Sequence, residues 1–237
     1  MTASLPRIAV LLDENTSGDA ALYESPKTLF RMVAEAGAMP LGIPYLPGLE
    51  DEILAAHDGL ISPGGRFAFP KAWYIAGRSS VAPVSERCDF DLKLMRMFLD
   101  AGKPVFGICS GMQMMAGLAG CKLVGDIQDT SGQPLVHNGP DCTHDVTISE
   151  GSRLAAIMGT REANINSLHN EAVVDLPRDV AVSARAPDGV IEGIELESYS
   201  FAIGVQWHPE KYHGKTHPGN ALFGALVEAC GLQNLSL

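Results

Sequence analysis

The sequence predicts an α/β fold: a mostly parallel central sheet, with an additional antiparallel strand group in the second half of the chain. Two observations carry this. In the first half, short apolar runs alternate with amphipathic helical stretches. A strand–helix–strand–helix rhythm needs crossover connections, which give parallel pairing with helices on both faces. In the second half, apolar and polar residues alternate with a period of two, the mark of half-buried strands.

The elements follow in order. Arg7 to Asp13 reads as a buried strand, and Lys27 to Ala36 as a helix ended by Gly37. Met39 to Leu46 is a second strand, weakened by Pro40 and Pro44. Asp51 to His57 is a short helix, and Gly59 to Ser62 a strand stopped by Pro63-Gly64-Gly65. Ser85 caps a helix reaching about Ala101, with Phe90, Leu94, Met97 and Phe98 spaced for one apolar face. Pro104 to Ile108 is the next strand, and Gly111 to Leu118 the helix after it. Asp126 to Asp141, rich in Gly, Pro, Asn and Asp, reads as a long loop. From Cys142 to Ile148, Cys, His, Val and Ile alternate with Thr, Asp and Thr. Val180 to Ala186 and Val190 to Leu196 are strands joined across the turn Pro187-Asp188-Gly189, followed by Phe201 to Trp207. A helix from Asn220 to Cys230 closes the pattern, ended by Gly231. With neither a repeat nor a strong linker, residues 1–237 are expected to form one domain.

Composition narrows the function. Seventeen basic residues against 28 acidic ones give a net charge of −11, and a surface of that sign repels phosphate backbones. Nucleic acid is therefore not expected as a partner. Nor is a membrane, because no apolar run approaches the length of a span. Met1 to Arg7 lacks the basic stretch and apolar core of a signal peptide. The five cysteines, at 88, 109, 121, 142 and 230, have no C-x-x-C spacing, and their odd number suits a reducing, cytoplasmic compartment.

The sharpest feature is Gly107-Ile108-Cys109-Ser110-Gly111-Met112-Gln113, where an apolar strand runs into G-x-C-x-G and then a helix. This is the layout of a nucleophile elbow with cysteine in place of serine. Flanking glycines let the backbone turn sharply, and a helix N-terminus favours thiolate over thiol. The Ser110 amide would then face the oxyanion formed when sulfur attacks a carbonyl. A plainer reading is a buried cysteine between two packing glycines. Such a nucleophile needs a base and a group to orient it. Val205-Gln206-Trp207-His208-Pro209-Glu210 supplies both: in extended chain, residues two apart share a face, so Glu210 reaches Nδ1 of His208 and frees Nε2 for the sulfur. Ser62-Pro63-Gly64-Gly65 offers a second set of amides for the oxyanion, or is merely a turn. Cys142 and His144 read as core, and the His213/His217 pair is unlike a rigid metal face because Gly214 and Pro218 interrupt it.

Taken in order, P-G-G after a strand, G-x-C-x-G-x-Q, Ile165-Asn166-Ser167-Leu168-His169 and G-V-Q-W-H-P-E resemble the class I glutamine amidotransferase superfamily. Within it the likeness is greatest to the γ-glutamyl-γ-aminobutyrate hydrolases of the γ-glutamylputrescine pathway, a route of polyamine catabolism. The resemblance implies a flavodoxin-like three-layer sandwich and no metal or cofactor. It implies a thioester on Cys109, a proton shuttle at His208 and an orienting Glu210. It assigns oxyanion amides to Gly64 or Gly65 and to Ser110, and γ-glutamyl contacts to Gln113 and the loop Asn166, Ser167, Leu168 and His169. The expected partner is a small γ-glutamyl substrate, and a homodimer is left open. Four places depart from the family pattern: Ser110, Arg87-Cys88, Arg66 to Pro70, and His169-Asn170-Glu171. All are expected near the leaving amine. Two other functions remain open at this point: a glutaminase subunit passing ammonia to a partner synthase, and a non-catalytic binding protein on the same scaffold.

Overall fold

In the computed structural model, the described residues are 4–15, 21–130 and 135–233, with residues 232 and 233 described by backbone alone. Residues 1–3, at the head of the Met1–Arg7 stretch, and residues 131–134 of the expected long loop lie outside them. In chain order the strands and helices are β1 (Arg7–Leu11), β2 (Asp13–Asn15), β3 (Leu22–Glu24), α1 (Lys27–Glu35), β4 (Met39–Ile43), α2 (Glu50–Ala56), β5 (Gly59–Ser62), α3 (Glu86–Asp100), β6 (Val105–Ile108), α4 (Ser110–Leu118) and β7 (Lys122–Val124). There follow β8 (Asn138–Ile148), α5 (Arg153–Met158), β9 (Glu162–Leu168), β10 (Ala172–Asp175), β11 (Val180–Arg185), β12 (Ile191–Leu196), β13 (Ala202–Val205) and α6 (Ala221–Gln233).

Nine strands form one sheet in the order β4-β1-β5-β6-β13-β12-β11-β8-β9. The first five are mutually parallel. The last four add antiparallel, starting at the β12–β13 pair. Side-chain alternation along the buried strands separates the two faces. Ile8, Val10, Ile61 and Phe106 pack with α1, α5 and α6, through residues such as Leu29, Leu154 and Leu226. Ala9, Leu11, Leu60 and Val105 pack on the other side with Phe90, Leu94 and Phe98 of α3 and Met112 and Met115 of α4. The result is the three-layer sandwich the sequence predicts. A strand buried on both faces must be apolar throughout, which is why these runs were readable.

Several expectations need correction. Ser85 does cap α3, its hydroxyl accepting from the Arg87 N–H at 3.2 Å. However, Met95 is fully buried on α3 and Met97 only half so, since the helix meets two neighbours. Gly231 does not end α6, which continues to Gln233. The Asp126–Asp141 loop is shortened by a 3₁₀ turn at Ile127–Asp129 and by β8, which begins at Asn138. Asn166 to Leu168 belong to strand β9, paired with β8, and are not a loop. Cys142, half exposed, donates its thiol to the Val136 carbonyl rather than entering the core. No helix among the described residues is long and apolar enough to cross a membrane.

Candidate active site

Three adjacent parallel strands deliver the site. β6 lies between β5 and β13, with Gly107 in register with both Ser62 and Gly204. Neighbouring strands are about 4.8 Å apart, so whatever leaves their C-terminal ends stands side by side. From β5 comes Pro63-Gly64-Gly65, from β6 Cys109, and from β13 Trp207-His208. Residues almost 100 positions apart in sequence thus become neighbours through strand order alone.

Cys109 is the only non-glycine residue with positive φ among the described residues, at φ 53 and ψ −110. That backbone costs about 1–3 kcal/mol for a residue with a Cβ, and persists only when its surroundings enforce it. They do. The Cys109 N–H donates to the Val205 carbonyl at 2.8 Å, and the Gln113 N–H to the Cys109 carbonyl at 3.2 Å. The elbow is so tight that a Cβ on Gly111 would stand 1.9 Å from the Ser62 carbonyl oxygen, and one on Gly107 2.6 Å from the Gly111 oxygen. Ser110 is the first residue of α4, so its N–H has no carbonyl one turn back to bond.

His208 stands beside this sulfur. Its Nδ1 meets Glu210 Oε1 at 2.8 Å, and since a carboxylate only accepts, Nδ1 carries the proton. The pairing is as expected but its route differs: Pro209–Tyr212 is a 3₁₀ turn, not extended chain, and the turn folds Glu210 back beneath the ring. Burial works against charge on His208, but the Cys109 sulfur and the Glu210 carboxylate outweigh it and raise its pKa to about 10. Asn166 clamps the backbone of the same residue, its Nδ2 donating to the His208 carbonyl at 2.8 Å and its Oδ1 accepting from the His208 N–H at 3.0 Å. A Cβ on Gly64 would come within 2.7 Å of His208 Cε1 and 3.5 Å of the Cys109 Cβ, so the glycine strand faces both groups across a van der Waals gap.

Arg87 sets the orientation of that strand. Its side chain, fully buried, pairs with Asp13 at 2.9 Å and Asp91 at 2.8 Å. The same guanidinium donates to the Pro63 carbonyl at 3.0 Å and the Gly64 carbonyl at 3.1 Å. Because each peptide is planar and trans, holding both carbonyls on one side turns the N–H groups of Gly64 and Gly65 to the other. Sequence reasoning placed Arg87 near the leaving amine; it lies instead behind the glycine strand. The usable signal was an arginine four residues before an aspartate on one helix.

A cavity of about 750 Å³ opens over these groups, lined among others by Gly64, Gly65, Cys109, Gln113, His208 and Glu210. Gln113 donates its amide to the Glu171 carbonyl and to Gln206 Oε1, at 3.0 and 3.1 Å, which leaves its own oxygen as the group to accept from a ligand. Of the expected substrate segment, Leu168 and His169 line the cavity. Asn166 is spent on His208, Ser167 is buried and donates to the His137 carbonyl at 2.8 Å, and His169 turns Nδ1 to the Glu171 carbonyl at 3.0 Å. Glu171 also lines the cavity; Tyr74 and Ser80 hold its carboxylate. Ser110, with its hydroxyl 3.4 Å from the Pro63 carbonyl, is buried and does not line the cavity. His213 and His217 do not converge: one meets Glu35 and the other the Asn164 carbonyl.

Fold and site together define a glutamine amidotransferase-like hydrolase with a cysteine elbow. The chain belongs to the peptidase C26 family, whose profile matches residues 8–210. It is 25% identical to the γ-glutamyl-γ-aminobutyrate hydrolase of Escherichia coli O157:H7, over 95% of this chain and 93% of that one. It is 30% identical to a putative glutamine amidotransferase of Mycobacterium tuberculosis, over 86% of this chain and 67% of that one. A putative GMP synthase component from Thermoplasma acidophilum shares the fold at a TM-score of 0.69 and 20% identity, covering 99% of this chain and 98% of that one.

Proposed function

We propose that the protein hydrolyses γ-glutamyl amides, γ-glutamyl-γ-aminobutyrate or a related γ-glutamyl amine, through a thioester on Cys109. The observation that carries this reading is the convergence of Cys109, His208 with Glu210, and the Gly64–Gly65 strand at the ends of three neighbouring strands. The thiolate of Cys109 attacks the γ-carbonyl carbon, and the carbonyl oxygen becomes an anion facing the Ser110 amide and those of Gly64 or Gly65. The C–N bond breaks as His208 gives its proton to the leaving amine. Water then attacks the thioester, His208 takes its proton, and the C–S bond breaks to release glutamate and restore the thiolate. The free oxygen of Gln113 suits the α-ammonium of the glutamyl group. The relatives named as γ-glutamyl-γ-aminobutyrate hydrolases support the substrate class. The reaction needs no cofactor in this reading, and a cytoplasmic setting with free thiols suits a cysteine nucleophile.

The test is a panel of γ-glutamyl amides given to the purified protein. It must include glutamine and amines ending in an ammonium or a carboxylate, because the cavity wall carries Glu24 and Glu171 as well as Arg66 and Lys211. Release of glutamate from at least one amine conjugate, faster than from glutamine, is the expected result. Glutamine turnover alone, rising on addition of a synthase, would move the protein to the ammonia-donating class.

A pH dependence follows from His208. The proton it must donate is held up to a pKa of about 10, so kcat/KM is expected to stay high through neutral pH and fall as pH rises through that value. Removing the Glu210 charge withdraws one group that holds the proton, so Glu210→Gln should move the alkaline limb to lower pH. A limb that stays in place would separate Glu210 from the catalytic proton.

A further inference from the structure

Beside the cavity, reaching it through His169, lies a second cluster to which the proposed hydrolysis gives no role. Glu192 of β12 is fully buried, and one of its oxygens, Oε1, is approached by three histidine nitrogens: His137 Nδ1 at 3.2 Å, His144 Nε2 at 3.3 Å and His169 Nε2 at 3.4 Å. All three histidines are more than nine-tenths buried. These approaches are not hydrogen bonds. Both Glu192 oxygens, His144 Nε2 and His169 Nε2 have no hydrogen-bond partner among the described residues.

The outer nitrogens explain why. His137 Nε2 meets Asp188 Oδ2 at 2.9 Å, His169 Nδ1 the Glu171 carbonyl at 3.0 Å, and His144 Nδ1 the Asp145 carbonyl at 3.2 Å. Carboxylates and carbonyls only accept, so the proton of each neutral ring sits on that outer nitrogen. The inner nitrogens of His144 and His169 then present lone pairs to a buried carboxylate, an arrangement that repels, while His137 Nδ1 also meets the Ser167 hydroxyl at 3.4 Å. Giving every inner nitrogen a proton would instead place three imidazolium ions in one dry shell, which burial strongly opposes. A divalent cation resolves both difficulties, since it accepts all of the lone pairs at once. Outer hydrogen bonds of this kind, to a carboxylate or a backbone carbonyl, are how ligating histidines are oriented.

We infer that His137, His144, His169 and Glu192 form a closed binding site for a divalent transition-metal ion of the zinc type. Around tetrahedral zinc with bonds of about 2.0–2.1 Å, donor atoms stand about 3.3 Å apart; the three nitrogens already stand at that distance from Glu192 Oε1, while the nitrogens stand wider of one another, His169 widest. The donor atoms of His137, His144 and Glu192 lie within 4.8 Å of one another, so loading draws the rings inward. Three imidazoles and one carboxylate select zinc over magnesium or calcium. Four protein ligands leave no open position for a reacting water, so the ion's role is to hold structure. It would tie the segment before β8, β8 itself, the end of β9 and β12 together. β9 also carries Asn166, the clamp on the His208 backbone.

The test measures metal directly. Protein loaded with zinc and then freed of loose metal by gel filtration is assayed for metal by mass spectrometry, and its melting temperature is read before and after a chelator. About one zinc per chain is expected, in wild type and in Cys109→Ser alike, with a lower melting temperature after chelation that zinc restores. The Cys109→Ser arm matters because a thiolate beside His208 can itself hold zinc. Glu192→Gln and His144→Gln should each lose most of the metal. Wild-type protein that retains almost none overturns the inference, as does zinc lost with Cys109 or kept without Glu192 and His144. If either cluster variant fails to fold, the first two arms still decide.

Discussion

Cys109→Ala is expected to lower kcat for γ-glutamyl amide hydrolysis by roughly 10⁴- to 10⁶-fold, the range over which an essential nucleophile acts. The residue has no substitute. Among the described residues the other cysteines are distant in role: Cys88, Cys121 and Cys230 are buried, and burial pushes each of their thiols up to about 12. Only Cys109 combines the elbow backbone with an adjacent imidazole and an opening to the cavity. Its side chain fills little space that alanine would not, so the variant should fold and melt near the wild type. Activity within tenfold of wild type, measured by glutamate release, would remove the cysteine from the chemistry.

Gly111→Ala is expected to have the largest effect on stability. The added methyl would need to occupy a position 1.9 Å from the Ser62 carbonyl oxygen, and a backbone atom of a central strand cannot swing aside as a side chain does. Overpacking of this kind costs about 3 kcal/mol or more, which for a chain of this size lowers Tm by roughly 6–12 °C. Whatever folded fraction remains should also be slow, because the displaced strand leads directly into Gly64 and Gly65. Gly224 on α6 supplies the contrast, since a methyl there meets nothing within 4 Å. Gly224→Ala should therefore leave stability unchanged or raise it by up to about 1 kcal/mol through helix propensity. Thermal melts of the two variants, side by side, separate steric demand at the elbow from a general intolerance of alanine.

The central strands and the elbow were legible because burial on both faces leaves a continuous apolar run, and because Gly and Pro mark where each run stops. Gly59–Ser62 was placed to the residue for this reason. The base and its partner were legible from two residues of spacing, although the contact is made by a 3₁₀ turn and not by extended chain. Strand β9 was not legible. Its sequence, Glu-Ala-Asn-Ile-Asn-Ser-Leu, is mostly polar, and its hydrogen bonding to β8 is what makes it a strand. For the same reason Asn166 and Ser167, assigned to the substrate, turn out to serve the protein's own backbone. Arg87 and the histidine cluster were hidden differently. The cluster spans His137 to Glu192 with no local spacing, and only the antiparallel order of β12, β11, β8 and β9 assembles it. Alone, His144 reads as a core residue, His169 as part of the substrate segment and Glu192 as one position of a strand.

The most direct measurement is the acyl intermediate itself. A γ-glutamyl anilide, whose good leaving group makes acylation faster than deacylation, is mixed with the enzyme, quenched in acid within the first turnovers, and digested for mass spectrometry. The peptide containing Cys109 should carry the added mass of one γ-glutamyl group, removable by hydroxylamine as a thioester is. Steady turnover with that peptide unmodified, or with the group found on another residue, would contradict a covalent role for the elbow cysteine.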